Sequence, residues 1–252
     1  MSSLFSLSGR RALVTGANTG IGQGIACALA GAGAEVVAAG RSDMTETLRM
    51  IAEAGGKAHA LKADLADRGE RMGLVDEAAG RFGPLDILVN NAGIIRRADA
   101  LDMSEEDWDA VLDVNLKASF FLCQAFARHA LGRGATGKIV NIASLLSFQG
   151  GIRVASYTAS KGGLAGITRL LACEWASRGI NVNAIAPGYV ISNNTQALRD
   201  DPERSAAIRA RIPAGSWGRP ADIGGAAVFL SSAAADYVHG VILPVDGGWL
   251  AR

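Results

Sequence analysis

Thr15-Gly16-Ala17-Asn18-Thr19-Gly20-Ile21-Gly22 stands between an apolar run, Arg10 to Thr15, and an Ala-rich segment from about Gly20 to Ala32. The run reads as a strand and the Ala-rich segment as a helix, so the glycines sit on a strand–turn–helix junction. Gly16 permits the tight turn, Gly20 lets backbone N–H groups approach a pyrophosphate, and Gly22 allows close helix–strand packing, with Asn18, Thr19 and Ile21 filling the loop. The helix N-terminus adds positive partial charge where phosphates would lie. A lone glycine pattern often marks only a turn, but in this setting it predicts dinucleotide binding.

Downstream, the alternation continues. Short apolar strands are expected at Glu35–Ala39, Ala58–Lys62, Leu85–Val89, Ile139–Ala143, Ile180–Ile185 and Val241–Val245. Between them, helices are expected at Met44–Ala54, Arg68–Phe82, from Ser104 onward, Ala155–Ser177 and Pro220–Ser231. Ser104 with Asp107 three residues on reads as a helix cap. Short, apolar strands are those of a parallel sheet buried on both faces. Regular strand–helix alternation predicts a single doubly wound α/β domain over 1–252. Only the Arg-rich stretch 188–218 breaks the pattern; it reads as a lid over the strand ends or as a surface insertion.

Composition bounds the function. The 252 residues are 49% hydrophobic and 19% charged, with 32 glycines, well above the usual glycine share of about 7%. The net charge of +1 and the lack of a basic block give no support to a nucleic-acid or membrane-surface role. Cys27, Cys123 and Cys173 have no metal-like or redox-like spacing and read as buried free thiols. The N-terminal segment Met1–Ser8 lacks the pattern of a signal peptide, and no uninterrupted apolar run spans a bilayer. A soluble cytoplasmic protein without metal is the expectation.

Tyr157-Thr158-Ala159-Ser160-Lys161 carries the chemistry. On a helix, an offset of four stacks the phenol and the amine on one face. A Tyr with a pKa of roughly 10 is a poor base at neutral pH, and a neighbouring ammonium is expected to lower it. Ser144, at the end of the fifth strand, has a hydroxyl able to bond the same substrate oxygen. Taken alone, a Tyr-x-x-x-Lys pair is more often two amphipathic residues on an exposed helix face.

These residues together resemble the short-chain dehydrogenase/reductase family. The resemblance rests on the Thr15–Gly22 turn, Asn90-Asn91-Ala92-Gly93, Asn115, Ser144, Tyr157 with Lys161, and Pro187-Gly188. It implies a Rossmann-like domain with a seven-stranded, mostly parallel sheet, in a family whose members are usually dimers or tetramers; a homotetramer is expected. It also implies an NAD- or NADP-dependent oxidoreductase acting on a CH–OH group, with Tyr157 as acid/base and Ser144 on the substrate oxygen. Lys161 would hold the nicotinamide ribose, and Asn115 would position a water linking Lys161 to solvent. Pro187, Gly188 and Val190 resemble the segment facing the nicotinamide amide, where Ser192 replaces a Thr common in relatives.

Cofactor choice is expected at the end of the second strand. Gly40 stands where an acidic residue would bind a ribose 2′-OH. Arg41 and Ser42 could hold a 2′-phosphate, favouring NADP, whereas the family resemblance favours NAD; Arg41 stacked on adenine is the plainer alternative. Asp64 and Leu65 are expected near the adenine, and Asn91, Ala92 and Gly93 near the ribose.

Segments such as Asn91–Arg97, Ser147–Val154, Asn193–Gln196, Arg211–Gly215 and Val245–Arg252 resemble the branch of the family that acts on deoxy-sugar acids in pectin-type uronate breakdown. An acid needs a cation for its carboxylate; Arg153 and Arg96 are favoured over Arg97, with Gln149 on a sugar hydroxyl. Trp249 reads as a tail buried against another subunit or against its own core. The alternatives are the same chemistry on gluconate, a deoxy-hexoseulose uronate or a 3-ketoacyl thioester, or a nucleotide-binding protein without catalysis.

Overall fold

A computed structural model describes residues 3–252; Met1 and Ser2, part of the N-terminal segment read above, lie outside the described residues. The strands are β1 (Arg11–Thr15), β2 (Glu35–Gly40), β3 (Lys57–Lys62), β4 (Ile87–Asn90), β5 (Gly137–Ile142), β6 (Ile180–Pro187) and β7 (Ile242–Val245). They form one sheet in the order β3-β2-β1-β4-β5-β6-β7, parallel throughout. The helices are α1 (Gly20–Gly31), α2 (Thr45–Glu53), α3 (Arg68–Phe82), α4 (Glu105–Leu112), α5 (Ala118–Gly132), α6 (Ala155–Trp175), α7 (Gln196–Arg199), α8 (Pro202–Arg211) and α9 (Pro220–Ser231).

Side chains alternate across a strand, so each strand feeds two cores. Ala12 and Val14 of β1 join Ile25, Leu29, Ile223 and Leu230 on the α1/α9 face. Leu13, between them, joins Leu74, Leu122 and Phe126 on the α3/α5 face. Burial on both faces explains why β1, β2 and β4 show no polar alternation, whereas the edge strand β3 is half-exposed and alternates Lys57 and His59 with Ala58 and Ala60. The strand order reverses between β1 and β4, and the crevice outside the carboxyl ends there is where such sheets take ligands.

Ser104 accepts from the N–H of Asp107 at 3.2 Å and starts α4. The helix runs on through Asp113–Lys117, a stretch of π-helix, into α5. A π-turn widens the helix by one residue and re-aims its side chains. Glu105–Gly132 has the length of a bilayer span and contains an 18-residue window of mean hydropathy 1.3, although charged residues interrupt it. Its apolar residues Leu122, Cys123 and Phe126 are buried against the sheet, as in a core helix.

One expectation needs correction. Of the three cysteines, only Cys123 is buried; Cys27 is half-buried and Cys173 exposed. Cys173 lies on the outer side of α6, one turn beyond the exposed Leu170.

Candidate functional site

The carboxyl ends of six strands, β1 to β6, border a cavity of about 1120 Å³. Thr15 closes β1 and opens the glycine turn. Its hydroxyl accepts from the N–H groups of Asn91 and Ala92 at 3.0 and 3.1 Å, and the Asn91 amide donates to the carbonyls of Thr15 and Gly16 at 2.9 and 3.1 Å. The ends of β1 and β4 are thereby locked side by side. Gly16 has φ +64°, a conformation that L side chains rarely adopt. A Cβ on Gly22 would fall onto the Gly16 carbonyl and the Asn91 amide. Asn91 thus shapes the cofactor cradle through backbone bonds.

At the N-terminus of α1, Thr19 makes no side-chain capping bond. The first N–H groups of α1 have no capping side chain and face the cavity, which is what a pyrophosphate needs. Asn18, Thr19, Gly20, Ile21 and Gly22 line this end. Further along it lie Arg41, Ser42, Asp64 and Leu65. Arg41 is exposed and 3.8 Å from Asp64, a loose surface pair that leaves its guanidinium available. No carboxylate stands at Gly40, whose space is taken by the tip of Met44. The residues fit a dinucleotide, with Arg41 and Ser42 where a 2′-phosphate would be read. Pro187, Gly188, Val190 and Ser192 line the same cavity after β6.

Ser144 follows β5 and Tyr157 lies in the first turn of α6, both on the cavity wall. The Ser144 hydroxyl accepts from the N–H of Leu146 at 3.2 Å, leaving its own proton for the Tyr157 oxygen. Burial pushes the Tyr157 phenol above its ordinary range; the Ser144 hydrogen bond and the positive charge of Arg97 pull the other way. Lys161 stands on the same helix face, its Nζ 5.5 Å from the centroid of the Tyr157 ring. Its Nζ donates to the Ile142 carbonyl at 2.6 Å, and burial lowers its pKa to about 8. The lowering expected from Lys161 is not found: burial raises the phenol, and the groups that oppose the rise are Ser144 and Arg97. The reason is geometric: the amine is drawn to the end of β5.

Asn115 is fully buried at the centre of the π-turn. Its side chain accepts from the N–H of Ile94 at 2.8 Å and donates to the Ile94 carbonyl at 2.9 Å and to Ser160 at 3.2 Å. Ser160 in turn donates to the Tyr157 carbonyl at 2.8 Å. Asn115 thus ties the Ala92-Gly93-Ile94 loop to the helix that carries Tyr157.

Among the candidate substrate residues, Arg153 is corrected. It does not line the cavity; it turns out at φ +61° and pairs with Asp99 at 3.3 Å on the surface. Arg96 lines the cavity but is paired with Asp107 at 3.1 Å. Arg97, the least favoured of the three, faces Tyr157 electrostatically and donates to the Asn194 carbonyl at 2.8 Å. Gln149 lines the cavity with its carbonyl oxygen accepting from the Trp249 indole at 3.2 Å. Trp249 is buried against its own chain, among Leu145, Ile208 and Ile212. From 188–218, Asn193, Leu198, Arg204, Ile208 and Arg211 border the cavity. Arg204, Ala207, Ile208 and Arg211 follow the i, i+3, i+4, i+7 spacing of one helix face, a signal present in the sequence and passed over.

A doubly wound parallel sheet, an uncapped glycine turn at its switch point and a Ser–Tyr–Lys wall in one cavity define a nicotinamide-dependent oxidoreductase. The chain belongs to the short-chain dehydrogenase/reductase family: the family model described as enoyl-(acyl carrier protein) reductase matches residues 16–250. It is 56% identical over 250 residues, 99% of each chain, to 2-dehydro-3-deoxy-D-gluconate 5-dehydrogenase of Escherichia coli (strain K12). It is 55% identical, over 98% of this chain and 97% of the other, to the enzyme of that name from Bacillus subtilis (strain 168). A crystal structure from Agrobacterium tumefaciens, provisionally assigned as a 2-deoxy-D-gluconate 3-dehydrogenase and holding NADP, is 65% identical over the whole of both chains, with a TM-score of 0.94.

Proposed function

We propose that this protein is an NADP-linked dehydrogenase/reductase that interconverts the keto and hydroxyl forms of a deoxy-sugar acid of the 2-dehydro-3-deoxy-D-gluconate or 2-deoxy-D-gluconate type. The observation that carries this reading is the sharing of one cavity by Ser144, Tyr157, Arg97 and the uncapped glycine turn. A proton donor, a cation and a dinucleotide cradle open onto the same space. The relatives' names support the sugar acid, and Arg41 with Ser42 supports the 2′-phosphate.

When bound, the nicotinamide accepts or supplies the hydride. In oxidation, Tyr157 as phenolate takes the hydroxyl proton of the carbon losing hydride; in reduction the phenol returns it. Ser144 holds the reacting oxygen and steadies charge developing on it. Lys161 holds the nicotinamide ribose, and the Asn115 turn carries the water through which Lys161 exchanges its proton. The segment 188–218 covers the bound substrate. Gln149, with its oxygen held by Trp249, offers its amide N–H groups to a sugar hydroxyl.

Paired steady-state kinetics with NADPH and NADH on 3-keto and 5-keto deoxy-sugar acids test the reading. The expected kcat/KM favours NADPH by about 10-fold or more, and Arg41→Ala removes most of that preference, the size of a lost charge-assisted hydrogen bond. Equal use of both cofactors by the wild type would overturn the NADP assignment. Turnover of gluconate, a deoxy-hexoseulose uronate or a ketoacyl thioester in place of the deoxy-sugar acids would move the substrate assignment to the rival.

The place of the reaction in uronate breakdown, in the cytoplasm and as a homotetramer, completes the proposal. Leu112, Leu116, Phe120, Phe121 and Ile167 border an open apolar groove on the outer face of α4–α6, which supports association with further copies. Analytical ultracentrifugation of protein from the cytoplasmic fraction should give a species four times the 25.9 kDa chain mass. A monomer, or residence outside that fraction, would contradict it.

A further inference from the structure

Three residues from distant parts of the chain meet at the substrate end of the cavity. Arg211 ends α8, Trp249 lies in the last turn of the chain, and Gln149 follows β5; all three line the cavity wall. Trp249 is 3% exposed, its indole N–H donates to Gln149 at 3.2 Å, and the Tyr189 ring packs on it at 4.6 Å. On the Trp249 face rests the Arg211 guanidinium, 4.0 Å from the ring centroid.

Of the other arginines on or beside the cavity, Arg96, Arg97 and Arg153 are engaged, and Arg204, which also lines the wall, rests on no aromatic face among the described residues. Arg96 is paired with Asp107, Arg153 with Asp99, and Arg97 donates to the Asn194 carbonyl. Among the described residues, no carboxylate pairs with Arg211, although Arg209 and Arg204 share its helix with Glu203. A guanidinium lying flat on an indole is held by the ring face while its N–H edge stays free. Such a residue has already lost part of its rotamer freedom, so binding an anion costs less than it would for a free surface arginine.

Position argues the same way. The charge of Arg97 bears on the Tyr157 phenol, so Arg97 stands at the reacting end; Arg211 is instead laid on the Trp249 ring. In a deoxy-sugar acid oxidised at C3 or C5, the carboxylate lies roughly 2.5–5 Å from the reacting carbon by ordinary bond lengths. The cation that reads it must stand off from the phenol. Resting on the functional reading above, we propose that Arg211, laid on Trp249, binds the substrate carboxylate as a two-pronged fork. The C-terminal tail, through Trp249 and Gln149, is then a positioning part of the specificity site.

The test compares a keto deoxy-sugar acid with its neutral counterpart, the carboxylate replaced by a hydroxymethyl group. Arg211→Ala should raise KM for the acid by about 10- to 100-fold, the size of a charged hydrogen-bond pair, with kcat changed only a few-fold. Its kcat/KM for the neutral counterpart and its NADPH dissociation constant, read by cofactor fluorescence, should stay at wild-type values. Arg211→Lys should restore part of the loss. Trp249→Leu should shift the acid-over-neutral ratio in the same direction by less, and Trp249→Phe should shift it least. A wild-type ratio in both Arg211→Ala and Arg211→Gln would overturn the assignment, as would a ratio abolished by Arg97→Ala alone. Wild-type enzyme that turns over no sugar acid would instead remove the functional reading, and this proposal with it, before any variant is made.

Discussion

Tyr157→Phe is expected to lower kcat by about 10³-fold or more, within the range lost with a general acid/base, while the NADPH dissociation constant stays within a factor of about two. The reasoning is local. The ring remains to fill the wall beside Ser144 and the Lys161 stem, so packing is kept, and only the atom that carries the proton is removed. Undiminished turnover would remove Tyr157 from the chemistry. The pH profile supplies an independent check with a definite sign. Burial raises the phenol's pKa, and Ser144 and Arg97 only partly offset it. Oxidation, which needs the phenolate, should therefore climb as pH rises towards the phenol's pKa. Reduction, which needs the phenol, should hold at neutral pH and fall in alkali. Burial lowers the Lys161 amine to about 8, so its positive charge fades before the phenol ionises. Arg97→Ala should push the oxidation limb to still higher pH, a shift that a merely structural role would not produce.

The layout of the sheet was legible because its causes are local. Apolar runs of four to eight residues, punctuated by glycine, leave few alternatives to buried parallel strands. Arg68–Phe82 and Pro220–Ser231 begin and end in the structure where the sequence puts them. The glycine turn was legible for the same reason: its geometry is written in three residues of one junction. What was not legible depends on partners far apart in the chain. Gln149 and Trp249 meet across 100 positions, and nothing near either residue announces the other. The choice among Arg96, Arg97 and Arg153 turns on which way a loop faces. Asn115 fixes that direction by binding both backbone groups of Ile94, so a π-turn between α4 and α5 decides the aim of residues two and three positions after Ile94. A polar residue in the middle of a helix reads as an interruption; that it pins another loop is a tertiary fact. Lys161 shows the same limit. Its spacing from Tyr157 set the shared face correctly, but the Ile142 carbonyl, belonging to another strand, captured its amine.

Gly22→Ala carries the other large effect: dinucleotide affinity should fall by about 100-fold or more, with unfolding lowered by roughly 4–10 °C for an overpacking cost of about 2–3 kcal/mol in a chain of this size. The added methyl has nowhere to go. Its nearest neighbours, the Gly16 carbonyl and the Asn91 amide, are bonded to each other at 3.1 Å, and Asn91 is held at 2.9 Å by the Thr15 carbonyl as well. The first is backbone, and the second is a side-chain end pinned by two hydrogen bonds. Relief must come from moving α1 away from β1 or from breaking the Asn91 bonds that lock β1 to β4. Either movement carries the N–H groups at the start of α1 off the line on which they meet a pyrophosphate, so stability and affinity fall together. Gly225→Ala is the control: that glycine is exposed within α9, and a Cβ there meets nothing within 4 Å. It should leave cofactor binding unchanged and raise stability by about 0.4–1 kcal/mol through the unfolded chain. If Gly22→Ala bound NADPH as the wild type does, the glycine turn would not be the cradle. The cavity would then have to hold the cofactor by contacts other than the helix N-terminus.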